Sequence, residues 1–328
     1  MFDESGKTPG TIQNRMRRLF IALFLAVAVS AAAQTKGKPF VFMPQWTAQA
    51  QFAGYYAALV KGFYAEEGLD VEIVHPFASQ SNVRHLLEGD VDATMLPLAQ
   101  AIESVGGGAQ LVNILQTSMN SALLLISRNG ADPFKMKKAK VVCWRSGYDQ
   151  LARSLSIQNH LDTEWVPAAS SVNLFIAGAV DGMLAMSYNE YYQILQTGLL
   201  PSGEGVFSFR EMGYNVQQDG VYMTRSAFNR NRDRAEAFAR ASRRGWEWVA
   251  NHPEEALDIV MDYVKNLRIP TNRTLQRLML DEILRLQLDP DSGGREFRVR
   301  EDMVGKASRL LYNTGLIGRE VSYKELMP

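Results

Sequence analysis

Short apolar runs separated by helical patterns dominate the first part of the chain. The runs that predict strands are residues 39–43, 70–74, 91–96, 111–116 and 123–127. Patterns with helical spacing lie between the first four of these runs, at 53–61, 80–88 and 100–106. Strands that alternate with helices are typical of α/β layers with mostly parallel sheets.

The same alternation resumes after a turn-forming segment at 128–133. The strands predicted there are 140–144, 183–187 and 206–209, and the helices are 147–159, 171–178 and 190–195. A returning strand at 221–224 precedes a long helical region that starts at 227. We therefore predict a two-lobed α/β fold in which lobe 1 comprises 38–127 plus 215–328. Lobe 2, residues 128–214, is inserted into it, and the cleft between the lobes is the expected ligand site.

The N-terminus has the pattern of a signal peptide. Arg15, Arg17 and Arg18 precede an apolar run at 19–29, and small residues follow as far as Ala33. This run is shorter than the roughly 20 residues that a spanning helix needs. We predict that residues 1–33 are a leader and signal peptide, cleaved after Ala33, and that the protein is periplasmic. A retained anchor and a buried N-terminal helix are the alternatives.

The charge balance and the cysteine content limit the binding partners and bound groups that the chain is expected to have. The chain has 35 Lys and Arg against 35 Asp and Glu, and loss of 1–33 removes four basic and two acidic residues. The mature chain therefore has a net charge of about −2, and it lacks the basic excess that favours binding to nucleic acid. Its single cysteine, Cys143, lies in a predicted buried strand, and only four His are present. Neither a metal site nor a cofactor is expected.

One segment carries a family resemblance. Residues 61–71, Lys-Gly-Phe-Tyr-Ala-Glu-Glu-Gly-Leu-Asp-Val, follow a Trp-containing loop and a helix of small residues. This pattern resembles the THI5/NMT1-like group of periplasmic substrate-binding proteins, which feed ABC importers. Shorter matches extend the resemblance over about 38–265; they are 87–93, 179–183 and 188–190. The resemblance implies a type II periplasmic-binding-protein-like fold, a monomer, a membrane permease as partner and a thiamine-precursor-like pyrimidine as ligand.

Candidate binding residues of lobe 1 follow its strand ends, where α/β sheets hold ligands. Trp46 can stack on a flat ring, and Gln49 and Gln51 can hydrogen-bond ring nitrogens or an amide. Of the adjacent Tyr55 and Tyr56, we expect Tyr55 to face the cleft. Ser79, at a predicted helix start, and Asp219, in the returning segment, are the remaining polar candidates. Packing or helix capping is the alternative role for each of them.

Lobe 2 contributes candidates after two of its strands. Trp144, Arg145 and Tyr148 lead from a strand into a helix N-terminus, which suits a carbonyl or an anion. Tyr188, Asn189 and Glu190 follow the next strand end. A buried Glu190 carboxylate can accept two hydrogen bonds from an aminopyrimidine edge, and the resemblance places the ligand-holding acid at this motif. Its alternative role is to interact with its own helix.

Several functions remain open besides pyrimidine capture. Riboflavin, sulfonate or nitrate could be the ligand, or the protein could present its ligand to a sensor. The resemblance also extends to pyrimidine-synthesising enzymes, which carry a cofactor-holding Lys and a reactive His where this chain has Leu96 and Gln100. Those enzymes have a Cys-rich iron motif as well, whereas this chain has Cys143 alone. We therefore expect a binding protein and not an enzyme.

Overall fold

The computed structural model describes residues 38–77, 81–128, 130–145, 147–168, 172–199 and 204–328. The predicted signal peptide and Ser79 lie outside the described residues. All elements given below belong to the unit Phe40–Pro328. No helix in the described ranges is both long and apolar enough to cross a membrane.

Ten strands are present in the described part of the chain. They are β1 Phe40–Met43, β2 Val71–Ile73, β3 Ala93–Leu96, β4 Leu111–Gln116, β5 Leu123–Ser127, β6 Lys140–Trp144, β7 Glu164–Ala168, β8 Gly182–Met186, β9 Val206–Ser208 and β10 Gly220–Thr224.

Helices connect most of these strands and form the C-terminal region. They are α1 Ala53–Val60, α2 Phe63–Glu66, α3 Asn82–Glu88, α4 Leu98–Gly106, α5 Gln150–Gln158, α6 Asn173–Ile176, α7 Glu190–Leu195, α8 Arg225–Arg230, α9 Arg232–Asn251, α10 Pro253–Asn266, α11 Arg273–Leu286, α12 Glu301–Asn313 and α13 Tyr323–Leu326. Short 3₁₀ turns occur at Ala50–Phe52 and Pro133–Lys135.

The strands form two five-stranded mixed sheets. Sheet 1 has the order β2-β1-β3-β10-β4, in which β10 runs antiparallel to both of its neighbours. Sheet 2 has the order β7-β6-β8-β5-β9, in which β5 runs antiparallel to both of its neighbours. The chain crosses from sheet 1 to sheet 2 after β4 and returns after β9, so the second sheet is an insertion, as the sequence pattern predicts.

Two features of sheet 2 differ from the sequence prediction. The strand at 123–127 was assigned to lobe 1, but β5 pairs with β8 and β9 in sheet 2. The strand β7 was not predicted at all. Its sequence contains Pro167, which normally argues against a strand, but β7 is the edge of the sheet and pairs only with β6. An edge strand tolerates proline because one side of it needs no ladder partner.

A close helix crossing stabilises the first sheet's outer layer. Helices α1 and α9 make their closest approach where Gly54 faces Trp246 and Gly245 faces the Gly54 backbone and Ala58. A Cβ at either glycine would overlap these atoms, so glycine is what permits the approach. Trp246 is fully buried at the crossing. This contact fixes the position of α1, which follows directly from the loop after β1.

The two crossing segments are tied to each other by amide side chains. Asn215 accepts a hydrogen bond from the Ser121 backbone N–H (2.8 Å) and donates one to Asn120 Oδ1 (3.1 Å). Gln218 Oε1 accepts the Ala122 N–H at 2.8 Å. The carbonyl oxygen of Asp219 accepts from the backbone N–H and the hydroxyl of Thr117, at 3.3 and 2.9 Å. The paired crossings therefore hold the ends of both sheets in a defined relation.

Candidate ligand-binding site

A narrow cavity, partly open to solvent, lies where strand ends of the two sheets meet. Sheet 1 contributes residues from the loop after β1, and sheet 2 contributes residues at and after the ends of β6 and β8. The lining residues, which we refer to together as the cavity, are Gln45, Trp46, Gln49, Gln51, Trp144, Tyr148, Met186, Tyr188, Asn189 and Glu190.

Aromatic rings form much of the cavity wall. The Tyr148 ring lies edge-on to Trp46 on one side and to Trp144 on the other, with centroids 6.4 and 6.1 Å apart. Trp46 is half-buried, while Trp144 and Tyr188 are buried. Aromatic faces of this kind favour a flat apolar ring over a compact, strongly hydrated ion.

Tyr148 also joins the two sides of the cavity. Its hydroxyl donates a 2.9 Å hydrogen bond to the backbone carbonyl of Gln45, so a residue after β6 is fastened to the loop after β1. Its backbone lies in the left-handed region, with φ of 78°, directly after Gly147 with φ of 101°. A bulky residue pays about 1–3 kcal/mol for such a conformation, and such residues cluster at ligand-binding sites. The residue in this conformation is the one whose ring contacts both tryptophans.

Glu190 is the carboxylate that lines the cavity. It is 3% exposed, and it begins α7 after a three-residue turn that follows β8. Its Oε1 accepts from Trp144 Nε1 at 3.2 Å and from Asn189 Nδ2 at 3.3 Å, and its Oε2 accepts the Met186 N–H at 3.0 Å. Burial raises the pKa of Glu190 above its ordinary value, although these hydrogen bonds oppose the effect. Because Oε1 already accepts two hydrogen bonds, the remaining acceptor capacity lies mainly at Oε2, which suits a ligand that donates.

Behind the sheet 1 wall, a second buried carboxylate organises three glutamines. Asp219 Oδ1 accepts from Gln45 Nε2 at 2.6 Å and from Gln51 Nε2 at 2.8 Å. Gln51 Oε1 in turn accepts from Gln49 Nε2 at 2.6 Å. Burial raises the pKa of Asp219 to about 6, against the opposing effect of the two amide hydrogen bonds. Asp219 does not line the cavity itself but fixes amides that do.

Most of the candidates proposed from sequence are brought together here. The candidates that line the cavity are Trp46, Gln49, Gln51, Trp144, Tyr148, Tyr188, Asn189 and Glu190. Gln45 and Met186 also line it, and the sequence analysis missed both. Gln45 precedes Trp46 at the end of β1, and this position at a strand end was the signal that could have identified it.

Three described candidates do not line the cavity: Asp219 lies behind its wall, and Tyr55 and Arg145 lie elsewhere. Tyr55 was expected to face the cleft, but it is fully buried in the core of sheet 1, where its ring contacts Phe42, Phe238 and Trp246. The reason is that helix α1 is buried on all sides from Ala53 to Ala58, so neither of its adjacent tyrosines reaches the cavity. Arg145 was expected to donate to an anion, but its side chain is exposed and does not line the cavity.

The donor and acceptor balance of the cavity follows from these positions. Among the described residues that line it, none is Lys, Arg or His, and Glu190 is a buried acid. Trp144 and Asn189 direct their N–H groups to Glu190, so they satisfy the protein's own acceptor. An anionic ligand would meet a carboxylate without a compensating cation, which is costly in a desolvated site.

The positions linked to enzyme chemistry are also described. Leu96 ends β3, and Gln100 lies in α4. Neither side chain has the amine that a Schiff base with a cofactor needs. Cys143 is buried in β6, and burial raises the pKa of its thiol to about 12, so it is a packed core thiol as the sequence predicts. Within the described ranges, no group of three or more His, Cys, Asp and Glu is placed to hold a metal ion.

Asp219 yields a prediction about stability and pH. Because its pKa in the folded protein is about 6 instead of 3.8, its favourable contribution is complete below pH 3.8 and is lost as the pH rises through 6. This difference between the pKa of Asp219 in the folded and in the unfolded protein corresponds to about 3 kcal/mol in free energy of unfolding. We expect Asp219→Asn to gain free energy of unfolding relative to the wild type by up to this amount between pH 4 and pH 7. Denaturant titrations of the two unliganded proteins across this range measure the difference.

The difference in free energy of unfolding between Asp219→Asn and the wild type at each pH is free of the contributions of other ionisable groups. Burial lowers the pKa of His75 to about 4, so the contribution of neutral His75 to the free energy of unfolding is lost as the pH falls below 6.5. This pH dependence is opposite to that of Asp219, but it is the same in the wild type and in the variant. The ionisable groups that face Asp219 are Tyr55 and Tyr188, and burial keeps both neutral across this range. A stability difference that stays constant from pH 4 to pH 7 would contradict the prediction.

Comparison with known proteins agrees with this architecture. The chain is 22% identical over 312 aligned residues to the formylaminopyrimidine-binding protein of Halalkalibacterium halodurans, with 87% of this chain and 91% of that protein covered. Its fold is similar to that of the periplasmic aliphatic sulphonate binding protein SsuA of Escherichia coli, at a TM-score of 0.60 and 15% identity, over 89% of this chain and 92% of that one. The alkanesulfonate-binding protein SsuA of Xanthomonas axonopodis gives a TM-score of 0.63 at 10% identity, over 89% and 99% of the two chains.

These similarities identify the fold as the two-lobed periplasmic-binding-protein fold that the family resemblance implies. The family model described as NMT1/THI5 like matches residues 49–256, which include most of the cavity and both crossings between the sheets. The chain belongs to the NMT1/THI5-like family.

Proposed function

We propose that this protein is the exported solute-binding component of an ABC importer, and that it captures an aminopyrimidine or a similar flat heteroaromatic. It binds its ligand without chemical conversion and delivers it to a membrane permease. Residues 1–33 serve as the signal peptide that carries the chain to the periplasm. The relative named as a formylaminopyrimidine-binding protein supports the choice of ligand class.

The observation that carries the proposal is the combination of aromatic walls with a buried acceptor. Trp46, Trp144 and Tyr148 offer ring surfaces, and the Glu190 carboxylate lies among them. An aminopyrimidine presents a flat ring and, along one edge, N–H groups that a carboxylate can accept. Sulfonate and nitrate fit less well because no Lys, Arg or His is among the described lining residues.

A thermal-shift screen of the mature protein tests the proposal. The panel contains aminopyrimidines, riboflavin, alkanesulfonates and nitrate. A ligand present at a hundred times its Kd stabilises the folded state by about 2.7 kcal/mol, so binders should separate clearly from the rest. We expect the aminopyrimidines to raise the melting temperature. Stabilisation by sulfonates or nitrate alone, or by no compound in the panel, would overturn the proposed ligand class.

Ligand binding should also change the intrinsic tryptophan emission. Trp46 and Trp144 line the cavity, so a ring stacked against either one alters its surroundings directly. We expect the emission change to shrink in Trp46→Phe and in Trp144→Phe. Trp165→Phe is the matched control, because Trp165 lies in β7, where its ring contacts the Arg153 guanidinium and does not line the cavity. A full response in both cavity variants would contradict the assignment of the site.

A further inference from the structure

We infer that Gln45, oriented by Asp219, is the hydrogen-bond acceptor on the sheet 1 side of the cavity. Together with Glu190 on the sheet 2 side, it selects heteroaromatic ligands that carry N–H donors on two separate edges. This inference rests on the proposed function, which by itself requires donors along one edge only.

Gln45 has an unused acceptor in a buried position. It lines the cavity and is 5% exposed, and its Oε1 has no hydrogen-bond partner among the described residues. A buried carbonyl oxygen without a partner is unfavourable, and native structures contain few of them. A ligand N–H that reaches this oxygen would remove the penalty at the moment of binding.

The orientation of the Gln45 amide is set by Asp219. An ionised carboxylate only accepts hydrogen bonds, and Asp219 Oδ1 takes the Nε2 groups of both Gln45 and Gln51. Turning the Gln45 amide over would bring its carbonyl oxygen against the carboxylate oxygen, which is repulsive. The NH₂ group therefore stays with Asp219, and the carbonyl oxygen is the group that Gln45 offers to a ligand.

The opposite side of the cavity presents the same polarity. Glu190 accepts from Trp144, Asn189 and the Met186 backbone, and each carboxylate oxygen can accept about two hydrogen bonds. The Met186 N–H donates to Oε2, and acceptor capacity is left at this oxygen. With acceptors on both sides, a ring with donors on one edge satisfies only half of the site. A ring with an amine at one edge and an aminomethyl group at the opposite edge satisfies both.

Matched ligands and variants test this assignment by calorimetry. The ligands are one aminopyrimidine ring bearing, at the edge opposite its amine, an aminomethyl group, a methyl group or a carbonyl group. In the wild type, we expect the aminomethyl ligand to bind about tenfold more tightly than the methyl ligand. In Gln45→Met, which keeps the volume but removes the acceptor together with the donor to Asp219, this ratio should fall to about one. Gln158→Met, on the exposed face of α5, is the control and should keep the wild-type ratio.

A second variant tests the role of Asp219 as a positioning residue. The Asn side chain in Asp219→Asn can donate as well as accept, so the Gln45 amide is free to turn its NH₂ group towards the cavity. We expect this variant to shift its preference from the aminomethyl ligand towards the carbonyl ligand. A merely structural role of Asp219 would weaken both ligands equally. The ligand preference of Asp219→Asn also tests the inference if Gln45→Met does not fold.

The outcomes separate the inference from the proposed function. If the wild type binds these pyrimidines but Gln45→Met keeps the tenfold ratio, the proposed function stands and the role of Gln45 is overturned. An unchanged order of preference in Asp219→Asn overturns its positioning role in the same way. If no member of the ligand set binds the wild type, both the proposed function and the inference fall.

Discussion

Replacing Glu190 with glutamine should lower ligand affinity by about ten- to a hundredfold, the usual effect of removing a charge-assisted hydrogen bond. The substitution keeps the shape of the side chain but converts one acceptor into a donor. In an aromatic cavity, that donor would face the N–H groups of an aminopyrimidine, so the ligand would lose a bond and meet a repulsive group. Calorimetry on the purified variant measures the loss.

The same substitution has a smaller and mixed effect on the unliganded protein. The glutamine NH₂ must face either Trp144 Nε1 or the Met186 N–H, both of which donate to Glu190. This conflict is offset in part because a buried charge is removed. Glu282→Gln is the matched control: Glu282 is also buried and accepts from the Ser187 hydroxyl, but it does not line the cavity. Wild-type affinity in Glu190→Gln would mean that Glu190 serves only its own helix and strand end.

We expect Gly245→Ala to lower the free energy of unfolding by more than Glu190→Gln does. The added methyl group would overlap the backbone oxygen of Gly54 and crowd Ala58, where α1 and α9 cross. Backbone atoms cannot rotate away as a flexible side chain can, so the helices would have to separate around the buried Trp246. We expect a loss of about 3 kcal/mol in free energy of unfolding, at the upper end of the cost of overpacking. The midpoint of denaturant unfolding should fall accordingly.

Gly305→Ala provides a control of the same chemistry. Gly305 lies inside α12, and a Cβ built there meets no atom within 4 Å. Alanine is the better helix former by about 0.5–1 kcal/mol, so this variant should be slightly more stable than the wild type. Opposite signs for the two glycines are the expected result. Equal effects would show that the crossing of α1 and α9 tolerates a wider separation.

The sequence predicted those parts of the fold that have a strong periodic signal. Helix α7 was placed at its observed bounds of Glu190–Leu195, and the inserted second sheet followed from the alternation of strands and helices. Strand β7 was missed because Pro167 argues locally against a strand, and only its position at the sheet edge makes it acceptable. Such edge positions are a property of the assembled sheet and are not visible in a local pattern.

The site was predictable to the extent that strand ends converge. Trp46 and Glu190 were chosen because both follow strands, and Glu190 also because the family resemblance places an acid at its motif; the structure brings both to one cavity. Tyr55 was misplaced because helix α1 is buried on every side through Ala58, so its sequence has no polar face that indicates an orientation. Gln45 was missed although it follows β1, and its contact with Asp219, which is distant in the sequence, forms only in the folded protein.

Asp219 belongs to the mechanics of the molecule as well as to its chemistry. Its peptide carbonyl is bound to Thr117 on the other crossing, while its carboxylate holds the glutamines behind the cavity. Its φ of 54° places this branching point in the left-handed region, where small rotations are sterically confined. One residue therefore connects the backbone of the two crossings to the amide side chains that line the cavity.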